Sequence, residues 1–398
     1  MLSAGRTGNV AEVFLVFLKL GLTSFGGPIA HLGYFRDEFV SRRGWFDDKA
    51  YADLVALCQF LPGPASSQVG FAIGLMRAGG PGALAAWAGF TLPSALLMLA
   101  IALGAGALSG DLAQGVLHGL KLVAVAVVAQ AVLGMAKSLS PDKVRAGIAV
   151  LAVAAMVIFG GVWGQVGAIV LGGVLGLWLC RGEAQAVGEE LAVPVSRTVG
   201  VAALLLFAGL LLVLPLVAGF GQGLAVFDAF YRAGALVFGG GHVVLPLLEA
   251  GTVRQGWLDQ NTFLAGYGAA QAMPGPLFTF ASYLGAASGV PPNGAIGAAI
   301  ALVAIFLPGM LIVLAALPFW HGLRGNATAQ AAMRGANAAV VGILGLALYN
   351  PVFTSAVLGP VDFVLALAGF VALVSWKVPP LAVVVALAVI GGVMGVVG

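Results

Sequence analysis

The sequence predicts an all-α polytopic membrane protein whose two homologous halves face opposite ways in the bilayer. Three observations predict it: the composition, the length of the apolar runs and an internal repeat. Of the 398 residues, 61% are hydrophobic and 8% are charged, whereas soluble domains carry about 25% charged residues. The apolar runs are continuous over about twenty residues, the length of a spanning helix. They therefore favour helices over barrel strands, which alternate apolar and polar residues.

Charged and turn residues divide the chain into apolar segments. In the first half the segments cover 12–30, 51–78, 82–104, 112–135, 146–160 and 163–180; in the second they cover 198–219, 226–248, 261–289, 294–318, 333–349, 361–376 and 379–397. The polar stretch 181–197 is interpreted as a cytoplasmic linker between a repeat at 1–180 and a repeat at 198–398. No cleavable signal pattern is visible at the N-terminus, so we expect it to be retained.

The internal repeat keeps rare residue types in register between the halves. The first motif, with Phe14, Phe17, Lys19, Gly21 and Phe25-Gly26-Gly27, recurs as Phe227, Phe230, Arg232, Gly234 and Phe238-Gly239-Gly240 at an offset of 213. Gln59-Phe-Leu-Pro62-Gly63-Pro64 recurs as Gln271-Ala-Met-Pro274-Gly275-Pro276 at an offset of 212. Two unrelated apolar helices do not share such a series, so the halves are interpreted as a duplication.

Loop charges predict the orientation of the halves, because basic residues favour the cytoplasmic side. Loop 31–50 carries four basic residues, whereas its counterpart 249–260 carries only Arg254. Loop 105–117 carries none, whereas its counterpart has Arg324 and Arg334. Since the bias changes sign between the halves, the repeat is predicted to be inverted, with helix 198–219 as the additional crossing that turns the second half over.

Some apolar segments are too short to cross the bilayer. Residues 51–64 provide about fourteen residues before Pro-Gly-Pro, fewer than the roughly twenty of a spanning helix. Segment 51–78 is therefore predicted to be a re-entrant hairpin that begins and ends on one side. Segment 12–30, interrupted between Thr23 and Pro28, is a second candidate for a broken, re-entrant element. In the alternative, every apolar run spans the membrane fully, and the basic residues of the loops then no longer follow the inverted pattern.

The breaks are the predicted binding site. Proline and glycine interrupt helices, and the freed backbone groups are tolerated at membrane depth only in protein or beside a polar cavity. The N-termini of the half-helices that follow suit an anion; the alternative is that the breaks serve packing alone. We expect substrate binding at Ser24, Gly26, Gly27, Gln59, Pro62, Gly63, Pro64, Ser66, Gly239, Gly240, Gln271, Pro274, Gly275 and Pro276.

Two cations support an anionic substrate. Lys19 and Arg232 each lie six residues before Phe-Gly-Gly in an apolar segment, where charge is costly and usually functional. Related by the repeat, they are predicted to flank one small dianion; the alternative is snorkelling to the interface. Lys121 has weaker support, because its counterpart by the repeat is Asn337.

His31, His242 and Asp53 are candidates for coupling to protons, since a histidine ordinarily titrates near neutral pH. Glu12, Asp228 and Glu249 also lie near membrane segments, and the sequence does not choose among these acids and Asp53. Structural roles for both histidines stay open, because they occupy different positions in the repeat. The sequence has no nucleotide-binding loop and no metal-ligand spacing. We therefore expect no enzyme activity, no cofactor and no metal, and the small net charge of +3 does not suggest nucleic-acid binding.

These motifs resemble the chromate ion transporter family in its long, two-domain form. The resemblance rests on Lys19-Leu-Gly-Leu-Thr-Ser-Phe-Gly-Gly-Pro28, Arg42-Arg43-Gly-Trp45, Gln59-Phe-Leu-Pro-Gly-Pro64, Phe238-Gly-Gly-Gly-His242 and Gln271-Ala-Met-Pro-Gly-Pro276. It implies a multi-pass protein of the bacterial inner membrane that exports chromate and confers chromate resistance, driven by the membrane potential or the proton gradient. The second half lacks the proline after Gly-Gly, so its first break is expected to bend differently.

Other functions stay open from the sequence. Because chromate is close to sulfate in shape, a carrier for sulfate or another oxyanion is one alternative; an anion channel is a second, and a membrane scaffold without transport is a third. The expected partners are a chromate-like or sulfate-like dianion and membrane lipid, and a homo-oligomer is left open.

Overall fold

A computed structural model describes residues 8–105, 110–159, 161–181, 195–238, 241–320, 322 and 326–397. Within these ranges the regular secondary structure is entirely helical. Among the described residues, five helical stretches are apolar and long enough to cross a membrane: Ala65–Gly104, Asp111–Leu139, Arg197–Phe220, Gly294–Phe319 and Ala327–Ala356. The prediction of an all-α membrane protein is therefore confirmed.

The first half contains seven helices among the described residues. They are α1 (Val10–Thr23), α2 (Gly27–Arg36), α3 (Asp48–Phe60), α4 (Ala65–Ala105), α5 (Asp111–Leu139), α6 (Lys143–Phe159) and α7 (Gly161–Leu179). A π-helical stretch, Asp37–Arg42, extends α2. Non-helical dihedral angles at Ala78 and Gly79 divide α4 into a short and a long part.

The second half repeats this order after an additional helix. Its helices are α8 (Arg197–Val217), α9 (Gln222–Ala235), α10 (Val244–Thr252), α11 (Gln260–Ala270), α12 (Phe280–Ala287), α13 (Gly294–Ala316), α14 (Ala327–Ala347), α15 (Pro360–Val374) and α16 (Pro380–Val397). Short 3-10 turns lie at Ala218–Phe220, Gly241–Val243, Leu277–Thr279 and Leu317–Phe319, and a π-helical stretch with one further turn covers Leu348–Phe353 and Thr354–Ala356.

The breaks that the sequence predicts are present in both halves. In the first half, α1 ends at Thr23 and α2 begins at Gly27, and α3 ends at Phe60 before α4 begins at Ala65. α3 has 13 residues, or about 20 Å at 1.5 Å per residue, which is less than the ~30 Å of the hydrocarbon core. Both breaks of the first half therefore lie next to short helices that end inside the protein.

The added helix α8 lies at the edge of the bundle. Only 11% of its most apolar window is buried, and it packs on α9 and α13. Most of its apolar surface is therefore available to lipid. The prediction that α8 inverts the second half, like the proposed domain bounds, stays a prediction.

The last two helices of each half pack on the long helix of the other half. α15 and α16 pack against α5, and α6 and α7 pack against α14. Glycines allow the closest approaches: a Cβ on Gly119 would overlap the Leu387 carbonyl, and a Cβ on Gly335 would overlap the Gly172 carbonyl. Small residues of this kind let membrane helices approach closely. Because each half packs its last two helices on the long helix of the other half, the two halves do not form separate structural units.

Candidate functional site

Two backbone hydrogen bonds join the breaks of one half to those of the other. The Gly63 N–H donates to the Val237 carbonyl at 2.7 Å, and the Gly275 N–H donates to the Ser24 carbonyl at 2.8 Å. Gly63 corresponds to Gly275 and Ser24 to Val237 in the repeat, so the two bonds are equivalent. Each Pro-Gly-Pro break is therefore docked on the residue just before the Phe-Gly-Gly motif of the opposite half.

The conformation of these two glycines explains the residue type. Gly63 has φ +120° and Gly275 has φ +87°, a region that is costly for residues with a Cβ. A Cβ on Gly275 would also lie 3.0 Å from Ser94 Oγ, and one on Gly63 would lie 3.1 Å from Gly309 Cα. Because both N–H groups are used in the cross-half bonds, neither is offered to an anion in this conformation.

A cavity of about 50 Å³ lies at the junction of the breaks, and we call it the central cavity. It has room for a group the size of a few water molecules. Its lining combines both halves: Gly26, Gly27, Val127, Gln130, His242, Ala270, Gln271, Met273, Gly275, Leu277 and Pro380. Five of these residues, Gly26, Gly27, His242, Gln271 and Gly275, were predicted from the sequence.

The central cavity offers neutral hydrogen-bonding groups. Gln271 Nε2 is buried without a partner among the described residues, and His242 Nδ1 lies 2.7 Å from Tyr267 Oη. Gln130, which the sequence argument missed, adds a second amide to the lining. No Lys, Arg, Asp or Glu is among the described lining residues, so full charges lie elsewhere. Gln130 is a polar residue within a long apolar run of the sequence, and this was the signal that could have identified it as a site residue.

The remaining predicted residues of the first half lie around the cavity wall or outside it. Ser24 is buried and its Oγ has no partner in the described part of the chain. His31 is buried with Nδ1 3.3 Å from Ser66 Oγ. The Pro62 carbonyl accepts a hydrogen bond from Gln68 Nε2 at 2.8 Å. Gln59, in contrast, is exposed.

Lys19 belongs to a group of charges near the first break. Its side chain is 57% exposed and Nζ lies 3.7 Å from Glu38 Oε2. Burial raises the pKa of Glu38, but hydrogen bonds from Arg43 and Arg42 and the charge of Lys19 outweigh it and hold that pKa below its usual value. Arg43 also contacts Glu12, which extends the network. Lys19 is therefore one of three cations that share a single buried carboxylate.

Arg232 has a simpler environment. Its guanidinium donates to Asp228 Oδ2 at 2.5 Å, one helical turn away, and the Asp228 side chain is only 4% exposed. Neither Lys19 nor Arg232 lines the central cavity. That they flank one dianion stays a prediction, and the structure gives each of them a carboxylate on its own half.

Other predicted residues are not themselves among the residues that line the central cavity. Pro274 and Asp53 are buried, the Pro276 carbonyl accepts from Thr279 Oγ1, and Pro64 packs on Gly309. Gly239 and Gly240 lie outside the described residues. No group of three His, Cys, Asp or Glu side chains in the described ranges is arranged to hold a metal ion.

A larger cavity of about 820 Å³ lies between α5, α11, α12 and α16, and we call it the vestibule. Its lining is Ala102, Asp111, Gln114, Gly115, Leu117, His118, Lys121, Asn261, Thr262, Tyr283, Ala287, Gly391, Met394 and Gly395. Lys121 is only 9% exposed, and its Nζ donates to Asn261 Oδ1 at 3.1 Å. The repeat gave weak support for Lys121 as a binding residue, because its counterpart is Asn337. The structure identifies it as a candidate because it lines this cavity.

Comparison with known proteins agrees with this architecture. The sequence model of the chromate transporter family matches twice, at residues 11–177 and 224–394. A chromate transport protein of Pseudomonas aeruginosa is 30% identical over 383 residues, covering 92% of this chain and 87% of its own. Those of Cupriavidus metallidurans (29%, covering 85% and 81%) and Synechococcus elongatus (a probable one; 28%, covering 97% and 95%) are also similar. No solved structure matches the chain.

The apolar helices and the repeat describe a multi-pass membrane protein with two homologous halves, and the relatives named as chromate transport proteins make it a transporter and not an enzyme. Because the family match covers both halves and most of the chain, the protein belongs to the chromate transporter family. The resemblance inferred from the motifs is thereby confirmed.

Proposed function

We propose that this protein is a secondary carrier that exports chromate across the bacterial inner membrane by alternating access and so confers chromate resistance. The observation that carries the proposal is the reciprocal docking of the breaks, Gly63 on Val237 and Gly275 on Ser24, around one central cavity. Inverted repeats with broken helices place the substrate where the repeats meet. The chromate transport proteins among the relatives support chromate as the substrate.

The chemistry of the central cavity suits a tetrahedral oxyanion. Gln271 and Gln130 present amide N–H donors, and the two glycines of the first break leave room for oxygen atoms against the backbone. Neutral donors bind an anion without the strong attraction that would hinder its release, and a carrier must release its substrate in every cycle. Sulfate shares the shape and charge of chromate, so it is the natural competitor.

The function is tested with purified protein in liposomes. We expect uptake of labelled chromate into inside-out vesicles to saturate, to respond to an imposed proton gradient or membrane potential, and to be inhibited by sulfate. Flux that stays linear with concentration and passes at channel rates would reject a carrier. Saturable flux of sulfate without flux of chromate would make sulfate the substrate and leave the carrier mechanism in place.

The corresponding glutamines test alternating access directly. Gln271 lines the central cavity, whereas Gln59 is exposed. If the halves exchange roles, Gln271→Ala raises the apparent KM measured from one side of the membrane by about five- to ten-fold, the value of one hydrogen bond, and Gln59→Ala does so from the opposite side. Right-side-out and inside-out vesicles separate the two. Equal effects of both variants from one side would contradict the exchange.

A further inference from the structure

The vestibule holds a cation that the architecture does not otherwise require. Lys121 lies in the middle of α5, a 29-residue apolar helix, and its ammonium contacts the neutral amide of Asn261. Within the described ranges no carboxylate oxygen lies within 4 Å of Nζ. A cation buried at this depth is costly unless it is paired or faces a polar cavity, and an anion in the cavity would pair it.

The acids around the vestibule are already bound elsewhere or lie at the end of α5. Asp362 lies 2.8 Å from His118 Nε2 and accepts from the Leu358 N–H. Asp259 accepts from both the backbone and the hydroxyl of Thr262. Asp111 lies in the first turn of α5, more than two helical turns from Lys121. The Lys121 ammonium is therefore the cation that lines this part of the cavity, and the carboxylates of Asp362 and Asp259 attract it from outside the lining.

Polar donors accompany the ammonium. Asn261 lines the cavity and uses Oδ1 to accept from Lys121, which leaves its Nδ2 for another acceptor. Gln114, on the same helix as Lys121, also lines the cavity. An ammonium with a neighbouring amide donor, that of Asn261, matches the oxygens of a tetrahedral oxyanion. At about 820 Å³ the cavity also has room for the hydration shell of such an ion.

Two helices connect the vestibule to the central cavity. On α5, Lys121 lines the vestibule and Val127 lines the central cavity; six residues of helix are about 9 Å. On α11, Asn261 and Ala270 line the same two cavities. Asp111 and Gly395 place the vestibule at the N-terminal end of α5. The sequence 105–117 around this end has no basic residue, so we expect the vestibule on the non-cytoplasmic side.

We propose that the vestibule is a second binding site for a tetrahedral oxyanion, held by the Lys121 ammonium and the Asn261 amide on the non-cytoplasmic side of the central cavity. This inference rests on the proposed function, since the ion it binds is the one transported. The positive charge raises the local anion concentration, so the site holds the ion between the central cavity and the aqueous phase.

The test measures oxyanion binding and flux separately with the full chain. Sulfate binding is measured at equilibrium on purified protein, and labelled chromate flux is measured in liposomes. We expect Lys121→Gln to weaken sulfate binding about ten-fold or more, as for the loss of a charge-assisted hydrogen bond, and Lys121→Arg to retain binding within about three-fold. Lys137→Gln, an exposed position on the same helix, is the matched control and leaves binding unchanged.

A second variant covers the case in which Lys121→Gln does not fold. Asn261→Asp places a carboxylate beside the ammonium, so it keeps the lysine and neutralises the site; we expect the same loss of sulfate binding. Wild-type binding in both Lys121→Gln and Asn261→Asp would overturn the vestibule site while chromate flux in the wild type upholds the carrier. Sulfate binding that depends on Lys121, in a protein that transports no oxyanion, would uphold the vestibule site and reject the carrier.

Discussion

The hairpins α2–α3 and α10–α11 correspond by the repeat, but their surroundings differ. All nine residues of α10 and residues Phe263–Ala270 of α11 are buried. Among the α2 residues whose burial is described, His31 and Phe35 are the buried ones, and α3 leaves Gln59 exposed where Gln271 is partly buried. One motif therefore occupies two environments in one molecule, and its neighbours decide which.

A single residue accounts for part of the difference. Gly268 on α11 lies against α5, and a Cβ there would overlap the Leu120 carbonyl oxygen. The corresponding residue in α3 is Ala56, which is only partly buried. The glycine lets α11 approach the long helix of the other half more closely than a side chain allows. We interpret the difference between the two hairpins as a sign that the structure shows one of the two conformations between which an inverted repeat can switch.

The largest expected effect comes from Arg232→Gln, which isolates the environment of α9. Asp228 would lose the partner that holds Oδ2, while its Oδ1 already lacks one among the described residues. An uncompensated buried charge costs about 3 kcal/mol or more, so the folded yield and the apparent melting temperature should fall. Asp228→Asn combined with Arg232→Gln should restore both, and it also permits a fair test of transport. Wild-type stability in the single variant would contradict this account of the pair.

The next largest effect is expected from Gly268→Ala, which makes α11 resemble α3. Forcing a Cβ against the Leu120 carbonyl costs about 1–3 kcal/mol, as for other overpacked sites. We expect chromate flux to fall at least five-fold, with α11 displaced from α5. Gly134→Ala, a helical glycine on α5 with nothing near its Cβ position, is the control. Flux in Gly268→Ala equal to that of the control would remove Gly268 as the cause of the asymmetry.

Gly63→Ala and Gly275→Ala test the feature that the halves share. Both glycines have positive φ and donate the equivalent cross-half bonds, so each variant should cost about 1–2 kcal/mol and lower transport to a similar extent. Gly110→Ala, with φ +103° and open space around it, reports the backbone strain alone. A loss confined to one of the two junction glycines would show that the docking is not equivalent.

The smallest effect on stability is expected from Lys19→Gln. Glu38 keeps Arg42 and Arg43 as partners, and an exposed ion pair contributes about 0–1 kcal/mol. The folded yield should therefore stay close to wild type, in contrast to that of Arg232→Gln. Because folding is preserved, the chromate KM of this variant decides whether Lys19 attracts the substrate; an unchanged KM would reject the paired-charge site.

The repeat and its breaks were predictable because they are local. Glycine and proline act on their own dihedral angles, so the interruptions at 23–28 and 61–64 are found where the residue types require them. Helix ends were less predictable: α14 begins at Ala327, before the apolar run at 333, because backbone hydrogen bonds form regardless of hydropathy. Segment 226–248 is divided into α9 and α10, as the glycines at its centre indicated.

The sequence by itself determined that the chain is a helical membrane protein, that it is duplicated, and where its helices break. Hydropathy, residue spacing and backbone geometry are carried by neighbouring residues and need no fold to be seen. The tertiary structure alone decided that the breaks dock across the halves, that Gln130 joins the central cavity and that Lys121 faces the vestibule. Those facts depend on contacts such as Lys121 with Asn261 and Gly63 with Val237, which join residues far apart in the chain.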